Sequence, residues 1–135
     1  MVYRLPAMQL LRHPRFQYAM RLLFWLALIF AMTMAVVPKP PALPIDSFGD
    51  KFAHMLAFAT LAALAALGFP AAYRWRVAER LSFLGALIEV VQSIPGLARD
   101  CDIRDWIADT AAIVVVTAVL GLLLSRLRRD EGGAG

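Results

Sequence analysis

Cysteine is nearly absent from this 135-residue chain. Cys101 stands alone, which excludes an internal disulfide framework and a cysteine-based zinc site. Charge is scarce too. Charged residues make up 18% of the chain, against roughly 25% in soluble domains. In their place 61% of residues are hydrophobic, and the mean hydropathy is +0.66. So apolar a chain, folded in water, would expose large apolar patches, and a bilayer removes that difficulty. Period-2 alternation is also missing, which excludes a membrane barrel. The net charge of +4 does not point to nucleic acid, because the basic residues flank apolar runs and do not line one aromatic-interleaved face.

What the chain does have is four apolar runs, at about residues 22–37, 52–69, 77–94 and 106–124. Each is close to the ~20 residues that a helix needs to cross a bilayer. Pro38, Pro70 and Pro95 stand at three of the exits, where a helix cannot continue. The expected fold is therefore all-α, an integral membrane four-helix bundle. A basic N-terminal segment (1–21) precedes the bundle (22–125), and a tail (126–135) follows it, disordered after Arg129. The third run is the weakest span, because Glu79, Arg80, Glu89 and Gln92 interrupt it. Pro38 to Pro44 reads as a stiff, extended connector.

Basic residues are divided unevenly between the two sides of such a bundle. Arg4, Arg12, Arg15, Arg21, Arg74, Arg76, Arg80, Arg126, Arg128 and Arg129 fall on one side. Lys39, Lys51, Arg99 and Arg104 fall on the other. Positive residues stay inside, so both termini are expected in the cytoplasm.

The outer side also collects most of the polar chemistry. At about 100° per residue, Asp50, Lys51 and His54 share one arc at the start of the second run. Ser82, Gly85, Glu89 and Gln92 share an arc on the third, and Asp102, Asp105 and Asp109 share one on the fourth. Charges in a membrane segment are expensive, so these arcs are expected to face one another and not lipid. Simpler roles are open to some of them. Asp50, Asp102 or Asp105 would cap a helix N-terminus, and Lys51 would anchor at the interface.

These residues carry a family resemblance. Asp50-Lys51-Phe52-Ala53-His54-Met55-Leu56-Ala57-Phe58 resembles the D-K-x-x-H-x-x-x-F motif of the VanZ-like family. Glu89-Val90-Val91-Gln92 is similar to its E-x-x-Q, and Arg99, Asp102 and Asp105 to its R-x-x-D-x-x-D. The similarity runs in order from Asp50 to about Gly121, and departs from the family where Asp109 replaces the usual Asn. It implies a multi-pass protein of the bacterial plasma membrane with a role in the cell envelope. One member of the family is linked with resistance to the glycopeptide teicoplanin.

Three functions are compatible with this pattern. The first is binding or handling of an envelope component, such as a lipid-linked precursor or another amphiphile, with membrane lipids as the surroundings. Asp50, Lys51, Gln92, Arg99, Asp102 and Asp109 would then bind the ligand, Arg99 being suited to an anion. The second is an intramembrane hydrolase or transferase, with His54 as acid or base and Glu89 or Asp105 as its partner. The third is a structural subunit whose polar end docks a membrane partner. Asp50, His54, Glu89 and Asp105 include donors for a divalent metal, but one histidine among carboxylates is a common non-metal set. No metal and no cofactor is expected.

Overall fold

The computed structural model describes residues 7–38 and 40–132, the last three as backbone. Arg4 and Lys39, which entered the count of basic residues, and the last residues of the expected tail lie outside them. Every regular element among the described residues is helical: α1 (Ala7–Arg12), α2 (Pro14–Val36), α3 (Asp50–Gly68), α4 (Arg74–Gln92) and α5 (Ile103–Gly132). Two short 3₁₀ turns, Pro44–Phe48 and Pro95–Leu97, introduce α3 and lead toward α5.

The helices begin earlier than the apolar runs. Pro14 opens α2, and the His13 side chain caps it by accepting from the Arg15 amide at 3.2 Å. The basic stretch 14–21 therefore belongs to α2 and is not a separate segment. The tail differs as well: α5 continues as helix through Gly132 where disorder was expected after Arg129. Arg126, Arg128 and Arg129 suit a helix C-terminus, where the macrodipole favours cations. The exits agree better with the sequence, since Val36, Gly68 and Gln92 each end a helix just before the expected proline.

Helix α3 is central. It packs against α2, α4 and α5, and α4 packs along α5. Leu61, Ala62 and Ala65 of α3, Ala78 and Leu81 of α4, and Ile113 of α5 are buried together. Small side chains let the backbones approach, as helix packing within a membrane favours. The approach is close at Gly68, where any side chain would meet the backbone of Met20 and Arg21 at 3.0–3.2 Å. Arg21 uses the proximity, its Nε donating to the Gly68 carbonyl at 2.6 Å.

The exterior is apolar. Ile29 and Phe30 of α2, Leu56 of α3, Phe83 and Val90 of α4, and Val115 and Leu122 of α5 are all exposed. Three helices are long and apolar enough to cross a membrane: Pro14–Val36, Asp50–Gly68 and Ile103–Arg129. A 19-residue helix rises about 28 Å, close to the ~30 Å of a bilayer core. Long apolar helices with exposed apolar sides mark this as a membrane protein. Helix α4 matches α3 in length but carries Arg74, Arg76, Glu79 and Arg80 in its first two turns and Glu89 near its end.

Candidate functional site

The ends of α2 and α4 and the starts of α3 and α5 come together at one end of the fold. There the chain turns sharply into α3. Gly49 adopts φ +100°, a conformation that a side chain resists, so the turn Pro44–Phe48 leads straight into the helix. Asp46 closes that turn by accepting the Leu43 amide at 2.7 Å. Gly49 itself occupies the N-cap position, so Asp50 lies within the first turn of α3 and does not cap it.

From that first turn, side chains reach α5. Lys51 Nζ lies 3.1 Å from Asp105 Oδ1. His54 lies between two carboxylates, with Nε2 4.0 Å from Asp50 Oδ1 and Nδ1 3.8 Å from Asp109 Oδ2. Attraction toward Asp109 requires a proton on Nδ1, since a bare ring nitrogen would face the carboxylate lone pair to lone pair. Asp109 is 1% exposed, and its second oxygen, Oδ1, has no hydrogen-bond partner among the described residues. A buried carboxylate oxygen left without a donor is rare and costly.

A second group stands beside the first on α4. Glu89 is buried, and its Oε2 accepts the Asp102 amide at 3.0 Å. Asp102 in turn accepts the Arg104 amide at 2.9 Å and so caps α5. Gln92 donates to the Ala35 carbonyl at 3.1 Å, tying α4 to the end of α2. About two turns deeper, the Ser82 and Thr110 hydroxyls share a hydrogen bond at 2.8 Å, and Trp106 Nε1 donates to the Ser82 carbonyl at 3.0 Å. In the loop before α5, partial desolvation and then the adjacent Glu89 carboxylate push the Cys101 thiol above its ordinary range, with Asp102 and Asp105 adding to the effect.

Beside both groups lies a cavity of about 320 Å³. Its walls are of two kinds. Ala27, Ala31 and Ala35 of α2, with Ala53, Ala57 and Thr60 of α3, form a groove of small side chains between the two helices. Phe30 and Leu56 flank it and are themselves exposed on the outside of the fold. At the polar end the wall is made by Asp46, Asp50, His54 and Arg99, with Pro40, Pro41 and Leu43 of the connector above them.

The expected site residues are thus divided. Asp50, His54 and Arg99 line the cavity. Lys51, Asp105 and Asp109 stand behind it on the α3–α5 side, while Glu89, Gln92 and Asp102 hold the helix ends together. His54 lines the cavity and Glu89 and Asp105 do not, but the three lie near enough to interact electrostatically with one another. Glu89 makes no hydrogen bond or ion pair with His54. Among the described residues, no three of His, Cys, Asp or Glu are grouped so as to hold a metal ion. Two parts of the wall were missed from the sequence. Asp46 precedes the second apolar run and belongs to none of the helical arcs. The alanines of α2 did carry a signal, a spacing of four that stacks them on one face. Compared with models of protein families, with curated proteins and with solved structures, the chain matches none.

Proposed function

We propose that this chain is a VanZ-like protein of the bacterial plasma membrane that binds an amphiphilic envelope component. The apolar part lies in the groove between α2 and α3, and the head group sits at the polar end. The observation that carries this reading is the two-part wall: a cavity apolar along its length and charged at one end has the polarity of an amphiphile. The exposed flanks, Phe30 and Leu56, open the groove toward the lipid side, so a ligand enters from the bilayer. A catalytic role for His54 has less support. The ring faces carboxylates on both sides, and no hydroxyl or thiol hydrogen-bonds to it among the described residues.

The reading includes four spans with both termini in the cytoplasm. For α4 the span begins near Val77, and the long side chains of Arg74, Arg76 and Arg80 reach the interface. Phe83, Leu87 and Val90 then face lipid. In a Cys101→Ser background, an impermeant maleimide applied to intact cells should label Ser47→Cys and leave Tyr73→Cys unlabelled. The opposite pattern would overturn the orientation.

Ligand binding is tested by filling the groove. The purified protein in mild detergent is expected to retain an amphiphile detectable by native mass spectrometry. Ala57→Trp should lose most of it while melting within a few degrees of the parent. Val115→Trp, on the exposed side of α5, should retain it. Equal retention by Ala57→Trp and parent would contradict the proposed seat.

A further inference from the structure

We infer that the head group taken at the polar end of the cavity is zwitterionic, a primary ammonium a few bonds from a phosphate or carboxylate. The inference rests on the amphiphile reading above and concerns which head group that site takes.

It begins with what the wall leaves unpaired. Arg99 makes no ion pair among the described residues, although it stands at the most acidic end of the protein. The three ion pairs there belong to Lys51 and His54. Asp50 has only His54 at 4.0 Å, beyond a good hydrogen bond, and its side chain is 72% exposed. Asp46 has committed one oxygen to the Leu43 amide. Beside the His54 imidazole, which Asp109 faces from behind, the cavity wall therefore offers one guanidinium and two carboxylates, and these do not neutralise one another.

A ligand of one charge fits such a wall poorly. A simple anion would gain Arg99 and be repelled by Asp46 and Asp50. A simple cation would gain the carboxylates and be repelled by Arg99. A head bearing both signs satisfies each side, with its anion on the Arg99 fork and its ammonium on Asp46 and Asp50. The degree of substitution on nitrogen matters as well. A primary ammonium donates three hydrogen bonds to carboxylates, whereas a trimethylammonium donates none. The wall should therefore prefer an ethanolamine-type head to a choline-type head on the same chains.

The experiment reconstitutes the full chain in nanodiscs containing equal parts of dioleoyl phosphatidylethanolamine, phosphatidylcholine and phosphatidylglycerol, and weighs the lipid retained on release into detergent. Phosphatidylethanolamine is expected to exceed each of the others by about tenfold, the effect of one charge-assisted hydrogen bond. Arg99→Gln should reduce phosphatidylethanolamine retention by a similar factor. Asp50→Asn should erase its advantage over phosphatidylcholine while leaving Arg99-dependent retention in place. Preference for phosphatidylglycerol would show a site for anions only and overturn the inference. Equal retention of all three would show a head group that is not read, overturning the inference and leaving the amphiphile reading intact. Retention of none by the parent would overturn both. The parent's own selectivity decides the matter even if a variant fails to fold.

Discussion

Replacing His54 with leucine is expected to destabilise the fold more than any other single change at the polar end. The reason lies behind the residue. Asp109 is 1% exposed, one of its oxygens has no partner, and the other faces only His54 Nδ1 at 3.8 Å. Removing the imidazole would leave a carboxylate buried among helices with nothing to balance it. Breaking a buried pair by deleting one partner costs about 3–5 kcal/mol, and the access of His54 to the cavity places this case toward the lower figure. Removal of both partners has a different sign. His54→Leu/Asp109→Leu takes the charge away with its counterpart, and exchange of a buried ion pair for apolar groups is often neutral or stabilising. The double variant should therefore melt near the parent, well above His54→Leu. Thermal unfolding in one detergent, followed by tryptophan fluorescence, gives the cycle. If His54→Leu melts with the parent, the pair contributes nothing and Asp109 is satisfied in some other way.

The sequence was most informative where burial alone decides. Proline after an apolar run marked three helix exits to within a few residues, because proline and its predecessor both resist helical backbone. The starts were placed late, since an apolar run shows only the lipid-facing middle of a helix. Arg15 and Arg21, Asp50 and Lys51, Arg74 and Arg76, and Arg104 and Asp105 are helical residues that look like flanks. The polar arcs were sound geometry. Gly85, Glu89 and Gln92 do face inward, and Asp105 and Asp109 do meet the α3 residues. Their roles were harder to read. An arc says which residues share a face, but it does not say whether a carboxylate points at a cavity or at a backbone amide. Helix α2 shows the same limit. Its alanines become a wall only when α3 lies alongside, and the motifs that resemble a family begin after α2 ends.

Glu89 is the residue whose role changes most between sequence and structure, and two substitutions separate the possibilities. Its carboxylate accepts the Asp102 amide at 3.0 Å, at the point where the loop after α4 enters α5. Glu89→Ala leaves that amide without an acceptor in a partly buried site, a loss of about 1–3 kcal/mol. Glu89→Gln keeps a carbonyl oxygen of the same reach and should stay within about 1 kcal/mol of the parent. Cys101 reports on the charge itself. Its thiol is raised first by partial desolvation and then by Glu89, so the desolvation persists in Glu89→Gln while the negative neighbour is gone. Its titration should move down toward the ordinary thiol range. More thiolate is then present at a given pH, and because the thiolate is the nucleophile, iodoacetamide should alkylate Cys101 faster than in the parent. The rate against pH, measured for both proteins, should show the same curve displaced to lower pH. Lipid retention should be unchanged in Glu89→Gln, because Glu89 does not line the cavity. A folded Glu89→Gln protein that binds no amphiphile would show that the carboxylate does more than hold the entrance to α5, and one whose Cys101 reacts no faster would show that its charge does not raise the thiol.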